Sequence, residues 1–309
     1  MNWSGVLPAT TTPFKSDLTV DHAVLAQHTS WLLENGCTGL VMLGSLGEGA
    51  TLDRDEKIAI LKTTVKSAQA TQSPVVAAVS SLSTRNAVQL AKDAEDAGCS
   101  GLMVLPPYVY SSDWREMKHH VSTVMGSTKL PCMLYNNGLA YKTDFLPEQI
   151  SELADQHANF EAVKESSGDV RRIAAIRSLL GNRLTLTVGV DDLLVEGVAA
   201  GAKGWIAGLV NAFPAESVEL FNLARAGKTE EAFALYRWFL PLLRLDTVVK
   251  FVQLIKWVQA QTGTGVATVR APRLEIAGAD LAEAQSVLAA ALANPPAIKS
   301  TAFPALQEA

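Results

Sequence analysis

Short apolar, β-branched runs alternate with helix-period segments along the first two-thirds of the chain. The runs cover residues 6–11, 39–44, 75–80, 102–105, 132–135, 160–164, 184–190 and 205–210. Between them, residues 21–34, 53–70, 84–97, 113–125, 147–156, 169–180, 191–200 and 214–226 place apolar side chains at helical spacing, several behind an Asp, Ser or Thr suited to cap a helix. The runs are apolar almost throughout rather than alternating, so both faces must be covered, as for parallel strands inside a ring of helices. Eight such units predict an α/β fold, a (β/α)8 TIM barrel over residues 1–225.

A signature recurs where helix hands over to strand: Gly36-Cys37-Thr38-Gly39-Leu40, Gly98-Cys99-Ser100-Gly101-Leu102 and Gly201-Ala202-Lys203-Gly204-Trp205. Its first glycine suits a left-handed helix cap. Beyond Val210 the pattern changes. Residues 230–243, 248–261 and 280–292 have helix periodicity with no strand between them, which predicts a three-helix C-terminal extension over 226–309. The tail from Asn294-Pro295-Pro296 reads as a loose or docking segment.

Composition narrows the function classes. The net charge of −5, with no basic run, lacks the electrostatic footprint of a phosphate-backbone binder, so nucleic acid is not an expected partner. The start, Met1-Asn2-Trp3-Ser4-Gly5, has no charged segment followed by an apolar one, and polar residues interrupt the long apolar stretches. A cytoplasmic location without membrane association is the expectation. Cys37, Cys99 and Cys132 are too widely spaced for a zinc site and read as small buried hydrophobes. The five histidines, 22, 28, 119, 120 and 157, fall in helical or helix-end segments away from the strand ends, so neither a metal site nor a Ser-His-Asp triad can be assembled. Acid–base work falls to Tyr, Ser, Lys or carboxylates, with no metal and no cofactor.

In such barrels the chemistry sits at the carboxyl ends of the strands. The polar groups expected there are Thr10, Thr11, Thr12, Ser45, Tyr108, Tyr110, Tyr135, Asn136, Lys164, Ser166, Asp191 and Asp192, together with Gly189. Lys164 closes the run Phe160-Glu161-Ala162-Val163-Lys164 and precedes the turn-like Glu165-Ser166-Ser167-Gly168-Asp169. Poor hydration there favours the neutral amine, a nucleophile toward carbonyl carbon. Lys15 and Lys142 stand in polar loops that keep them charged, whereas pairing with Glu165 is the competing role for Lys164. In Gly44-Ser45-Leu46-Gly47, small residues let backbone N–H groups approach an anion, with Ser45 adding a donor, and a carboxylate would fit. A tight turn without a ligand is the competing reading.

These residues resemble a known family. Thr11-Thr12-Pro13-Phe14, Gly44-Ser45-Leu46-Gly47-Glu48, Tyr135-Asn136 and Lys164-Glu165-Ser166-Ser167-Gly168-Asp169 are similar to the ordered motifs of the dihydrodipicolinate synthase and N-acetylneuraminate lyase family. The resemblance implies a class I lyase in which Lys164 condenses with the keto carbon of pyruvate or a larger 2-oxo acid. It implies that Tyr135 shuttles protons, and that Ser45 and the backbone around Leu46 hold the carboxylate. Tyr108 would complete a tyrosine–hydroxyl–tyrosine relay from an adjoining subunit, which implies a homo-oligomer, a dimer or tetramer. Ser166, Gly189, Asp191 and Gly208 would stand near the substrate, with Asp192 beside them. The protonated imine is an electron sink for charge developing at C3, so no metal is required.

Departures narrow the branch. Dihydrodipicolinate synthases continue Val-Pro-Gly-Arg after the Tyr-Asn pair, and the arginine receives the second substrate's carboxylate. This chain reads Asn137-Gly138-Leu139-Ala140, and Leu46 replaces a second threonine. Lys142 is a poor substitute for a bidentate fork. Together with Val170-Arg171-Arg172, the segment from Ala207 to Pro214 and Leu245-Asp246-Thr247, these features look most like a catabolic subgroup that includes pyrroline-4-hydroxy-2-carboxylate deaminases, whose product is 2-oxoglutarate semialdehyde. The alternatives are a pyruvate-dependent aldolase of a 2-keto-3-deoxy sugar acid and 4-hydroxy-tetrahydrodipicolinate synthase. A regulatory protein that kept the barrel, or a metal-dependent aldolase, would need Lys164 to be idle or ligands the chain lacks.

Overall fold

Parallel strands β1 (Gly5–Pro8), β2 (Leu40–Met42), β3 (Val75–Val79), β4 (Gly101–Val104), β5 (Cys132–Asn136), β6 (Phe160–Glu165), β7 (Thr185–Val188) and β8 (Gly204–Ala207) form one sheet in the order β1-β8-β7-β6-β5-β4-β3-β2. The computed structural model describes residues 1–107 and 110–305. The ring closes between β1 and β2: Ala9 bridges Val41, and the Thr10 N–H donates to the Val41 carbonyl at 2.9 Å.

Strand periodicity sorts the side chains into two cores. Leu7, Val41, Val76, Ala78, Met103, Met133, Ala162 and Ile206 point into the barrel, where Trp3 joins them. Val75, Ala77, Val79, Cys132, Leu134 and Val163 point outward to the helices. Both faces of the strands are therefore largely covered, which is why the runs are apolar almost without alternation.

The surrounding helices are α1 (His22–Glu34), α2 (Arg54–Ala68), α3 (Thr84–Asp96), α4 (Trp114–Met125), the single turn α5 (Gly138–Tyr141), α6 (Pro147–Gln156), α7 (Arg171–Leu180), α8 (Leu194–Ala199) and α9 (Pro214–Arg225). Asp21, Asp53, Ser83 and Asp113 accept backbone N–H groups at four helix starts, each such cap contributing about 1 kcal/mol. Gly36, Gly98 and Gly201 adopt φ of 92°, 87° and 109°, the left-handed ends expected where helix hands over to strand.

Strands end sooner than the apolar runs. Residues 209–211 and 191–193 are 3-10 turns, and α5 was not foreseen. Apolar residues past a strand end serve the loop layer instead: Leu209 and Val210 are fully buried there.

Three helices follow as expected: α10 (Thr229–Leu243), α11 (Phe251–Gln261) and α12 (Gly278–Ala293). They are fastened to the barrel mouth by a buried ion pair in which Lys256 Nζ donates to Glu48 at 2.8 Å and to the Thr12 carbonyl at 2.9 Å. The Arg270 N–H donates to the other Glu48 oxygen at 3.0 Å. The tail docks on α1: Trp31 Nε1 donates to the Thr301 carbonyl, and Phe303 meets the Trp31 ring edge-on at 5.1 Å. Among the described residues no helix is long and apolar enough to cross a membrane.

Candidate active site

Tyr135 and Lys164 face each other in register on β5 and β6, and both point inward because they share the parity of Met133 and Ala162. The Lys164 ammonium nitrogen lies 4.3 Å from the Tyr135 ring centroid. The lysine is 6% exposed, and among the described residues it forms no salt bridge. Burial draws its pKa down to about 8, against the opposing pull of Asp246 and Asp191. Neutral amine is therefore plentiful near pH 8.

Glu165 does not compensate this charge. It points to the other side of β6, where it accepts from the Ser167 N–H at 2.7 Å and from Asn136 Nδ2 at 3.1 Å. The rival amines Lys15 and Lys142 are exposed. Burial raises the Tyr135 pKa, partly offset by the Asn137, Ser166 and Tyr141 side chains; Asn137 Nδ2 donates to its oxygen at 3.0 Å.

Gly189 and Gly208 make room. A Cβ on Gly189 would stand 1.9 Å from Ser166 Oγ and 2.6 Å from Lys164 Cε, so the lysine stem lies where any other residue would intrude. A Cβ on Gly208 would stand 2.0 Å from an Asp246 oxygen. Among the described residues the buried Ser166 Oγ makes no hydrogen bond of ordinary length, although it lies near enough to Tyr135 to offset the rise in that group's pKa.

Asp191 is fully buried, and its oxygens are taken by the N–H groups of Gly208 and Leu209 at 3.0 and 2.9 Å and by Trp205 Nε1 at 3.1 Å. It thus holds the loop after β8 and sets a negative field beside Lys164, while burial raises its own pKa. The Gly208 N–H is spent on the same contact. Asp192 turns outward: its carbonyl accepts from Tyr236 Oη, and its carboxylate accepts from Arg244 Nε at 3.4 Å.

In the loop after β2, Leu43 and Glu48 both take left-handed φ, 65° and 54°, folding Gly44-Ser45-Leu46-Gly47 back on itself. Ser45 Oγ meets the Tyr141 hydroxyl, while the Leu46 side chain is buried in the outer core and contributes only backbone to the mouth. Thr12 Oγ1 donates to the Gly47 carbonyl at 2.7 Å and Thr11 Oγ1 to Gln259 at 2.9 Å, so these threonines brace loops. Tyr110 is 58% exposed. Tyr108 lies outside the described residues.

Two groups at the mouth were not singled out from the sequence. Tyr141 ends α5. Asp246 lies in the 3-10 turn Arg244–Asp246 between α10 and α11, with one carboxyl oxygen buried and unpartnered. Burial, then the neighbouring Asp191, raise its pKa well above its ordinary value, against the opposing pull of Lys164. A carboxyl with a raised pKa thus stands beside an amine with a lowered one, the pairing that acid–base chemistry uses. Its signal was the Leu245-Asp246-Thr247 string, but nothing in helix periodicity tells which turn folds back over a barrel.

Residues 2–291 match the sequence model of the Dihydrodipicolinate synthetase family. A 4-hydroxy-tetrahydrodipicolinate synthase of Desulforamulus reducens is 28% identical over 288 residues, 93% of this chain and 97% of that protein. The solved 4-hydroxy-tetrahydrodipicolinate synthase of Methylacidiphilum fumariolicum SolV superposes with a TM-score of 0.90 at 26% identity, covering 94% of this chain and 96% of that one. YagE, an Escherichia coli K12 prophage protein of the dihydrodipicolinic acid synthase family solved with pyruvate, gives a TM-score of 0.87 at 25% identity, covering 94% and 99%.

Proposed function

The chain belongs to the dihydrodipicolinate synthetase family of class I, Schiff-base lyases, and from that premise we propose that Lys164 forms an imine with C2 of a 2-oxo acid or cyclic imino acid and that a C4 substituent is then eliminated. The observation that carries this is the buried Lys164 amine, without a salt bridge among the described residues, set over the Tyr135 ring. Ser45 and the backbone of its loop would receive the carboxylate, and Ser166 a second oxygen of the acid.

The reading favoured for the second step is deamination of pyrroline-4-hydroxy-2-carboxylate. The Lys164 nitrogen adds to C2, and the ring C2–N bond breaks, leaving an open-chain imine on Lys164 and an amino group on C5. Loss of a C3 proton gives the enamine, whose electron pair expels the C4 hydroxyl as water with a proton from Asp246. Tautomerisation places an imine at C5, and hydrolysis at C2 and C5 frees 2-oxoglutarate semialdehyde and ammonia. One water is consumed net. Asp246, its pKa raised by burial and one of its oxygens without a hydrogen-bond partner among the described residues, lies beside Gly208 and supports this acid role.

A second reading is 4-hydroxy-tetrahydrodipicolinate synthase, favoured by the names of the curated relatives. It needs a cation for the aldehyde substrate's carboxylate. Ala140 stands at the arginine's place, Lys142 is exposed, and Arg172 is engaged bidentately by Asp144 at 2.6 and 2.7 Å.

Incubation with each substrate followed by borohydride and peptide mapping, with ammonia measured in parallel, separates these readings. The deaminase gives a Lys164 adduct and ammonia from the pyrroline, and Asp246→Asn keeps the adduct while losing most of the ammonia. Condensation of pyruvate with aspartate semialdehyde and no ammonia from the pyrroline would establish the synthase instead. Free pyruvate from a 2-keto-3-deoxy sugar acid would establish the aldolase.

A further inference from the structure

Four neighbouring strands carry inward positions up to the mouth, and two of them reach it without a side chain. After Met133 on β5 and Ala162 on β6 come Tyr135 and Lys164, whereas after Thr187 on β7 and Ile206 on β8 come Gly189 and Gly208. The first gap is filled by the Lys164 stem. The second is filled from outside the barrel: a Cβ on Gly208 would stand 2.0 and 2.6 Å from the two carboxyl oxygens of Asp246 and 2.4 Å from its Cγ. Asp246 thus supplies the side chain that the end of β8 lacks.

Both sides of that contact are fixed. Behind it, Asp191 accepts from the Gly208 and Leu209 N–H groups at 3.0 and 2.9 Å and so holds the glycine backbone. In front, Asp246 closes a turn whose Leu243 and Leu245 are buried in the outer core. Arg244 Nε of the same turn donates to Asp192 in the segment after β7 at 3.4 Å, and the Thr247 N–H donates to the Arg244 carbonyl at 3.1 Å. One Asp246 oxygen is buried with no hydrogen-bond partner among the described residues, while residues 247–250 are exposed. The carboxyl therefore stands between the mouth and an exposed loop.

We infer that Asp246 is a specificity-determining wall, whose carboxyl, resting on Gly208, confines the site to short or ring-folded 2-oxo acids. The inference rests on the imine reading of Lys164 and deepens it. With the acid's carboxylate toward the Ser45 loop and C2 at Lys164, the Tyr135 ring, its centroid 4.3 Å from the amine, closes the β5 side. Carbons beyond C3 then have the side of β7 and β8, where the place over Gly189 is filled and the place over Gly208 ends at Asp246. A five-membered ring keeps its C4 close to C2 and fits in front of that carboxyl. The extended chain of a 2-keto-3-deoxy sugar acid would have to displace it. The wall acts through its volume and is separate from any proton that Asp246 transfers.

The test is a length series. Saturated, unbranched 2-oxo acids from pyruvate to 2-oxohexanoate carry no leaving group, so acid catalysis at C4 plays no part. Each is titrated against the protein, with borohydride trapping on Lys164 as the readout and every variant normalised to its own pyruvate value. A methylene that a pocket cannot place costs about 10- to 200-fold, so in the wild type the half-saturating concentration should rise by about 10-fold or more from the shortest acid to the longest. Asp246→Asn keeps the shape and should reproduce that rise, whereas Asp246→Ala should remove most of it. Asp246→Glu, longer by one methylene, should move the cut-off one carbon shorter. A flat series in the wild type, or an unchanged rise in Asp246→Ala, would overturn the wall. Equal relief by Asp246→Asn would assign the discrimination to charge and overturn it too. Should Asp246→Ala melt early, Asp246→Ser decides by the same criteria. A wild type that gives no Lys164 adduct even with pyruvate removes the imine reading and the wall with it, a result distinct from adducts that form equally at every length.

Discussion

Replacing Gly189 by alanine tests whether the lysine stem is placed by an empty volume. The added methyl would stand 2.6 Å from Lys164 Cε, 2.7 Å from its Cγ and 1.9 Å from Ser166 Oγ, whereas ordinary contact begins at 3.4 Å. Ser166 can turn away about its χ1. The lysine stem must move by about 0.8 Å, and it is backed by the Tyr135 ring. Displacing a reacting group by about 1 Å costs on the order of 100-fold in rate, and overpacking of this kind destabilises by about 1–3 kcal/mol. Gly189→Ala should therefore slow borohydride-trapped imine formation by about 30- to 100-fold while the protein still melts cooperatively, a few degrees lower. Trapping at the wild-type rate would show that Lys164 does not depend on that space, and the argument for the site's geometry would fail at its base.

Three further outcomes are expected. With the Lys164 pKa near 8, the neutral fraction is about one-tenth at pH 7 and nine-tenths at pH 9, so imine formation should rise about tenfold and level off; a hundredfold rise without a plateau would mean an ordinary lysine. Lys256→Met removes the nearer cation from buried Glu48, which keeps the Arg270 N–H at 3.0 Å and Arg273 at 3.9 Å, so the loss is at most about 3–5 kcal/mol; at about 0.65 kcal/mol per degree for a chain of 309 residues, melting should fall by up to roughly 5–8 °C, and a shift under 1 °C would contradict it. Burial lowers the His28 pKa to about 4, below its ordinary 6.5; the unfolded chain protonates first, so stability is whole above pH 6.5 and falls by about 3 kcal/mol as pH drops toward 4. Urea unfolding at pH 7.5 and 4.5 should show this in the wild type and not in His28→Gln, and equal slopes would rule it out.

The barrel was legible because its information is local and repeated: eight apolar runs, eight helical periods and three Gly-initiated handovers each encode the same unit. Lys164 and Tyr135 were legible for a related reason. Each lies at the last positions of an apolar run, and neighbouring strands of a closed barrel bring such positions together. Gly189 and Gly208 were singled out as standing near the substrate, and the structure adds that they leave space for Lys164 and Asp246, since a missing side chain gives no clue to what fills its volume. Asp191 looked exposed to the mouth, yet it is spent on the loop after β8. Tyr141 and Asp246 stayed hidden because their roles depend on where a one-turn helix and a distant turn fold back. Neither carries a periodic signal.

The outer layer of helices delivers Asp246 to one side of the mouth and, through Lys256 and Glu48, braces the loop that carries Ser45 on the other. A barrel cut off after residue 225 would keep Lys164 but surrender the Asp246 carboxyl and a clamp. With Asp246 in the proposed acid role, mutations more than eighty positions downstream of Lys164 would retune which substituent departs while the imine step is preserved. Divergence of activity in this architecture has an address outside the barrel itself.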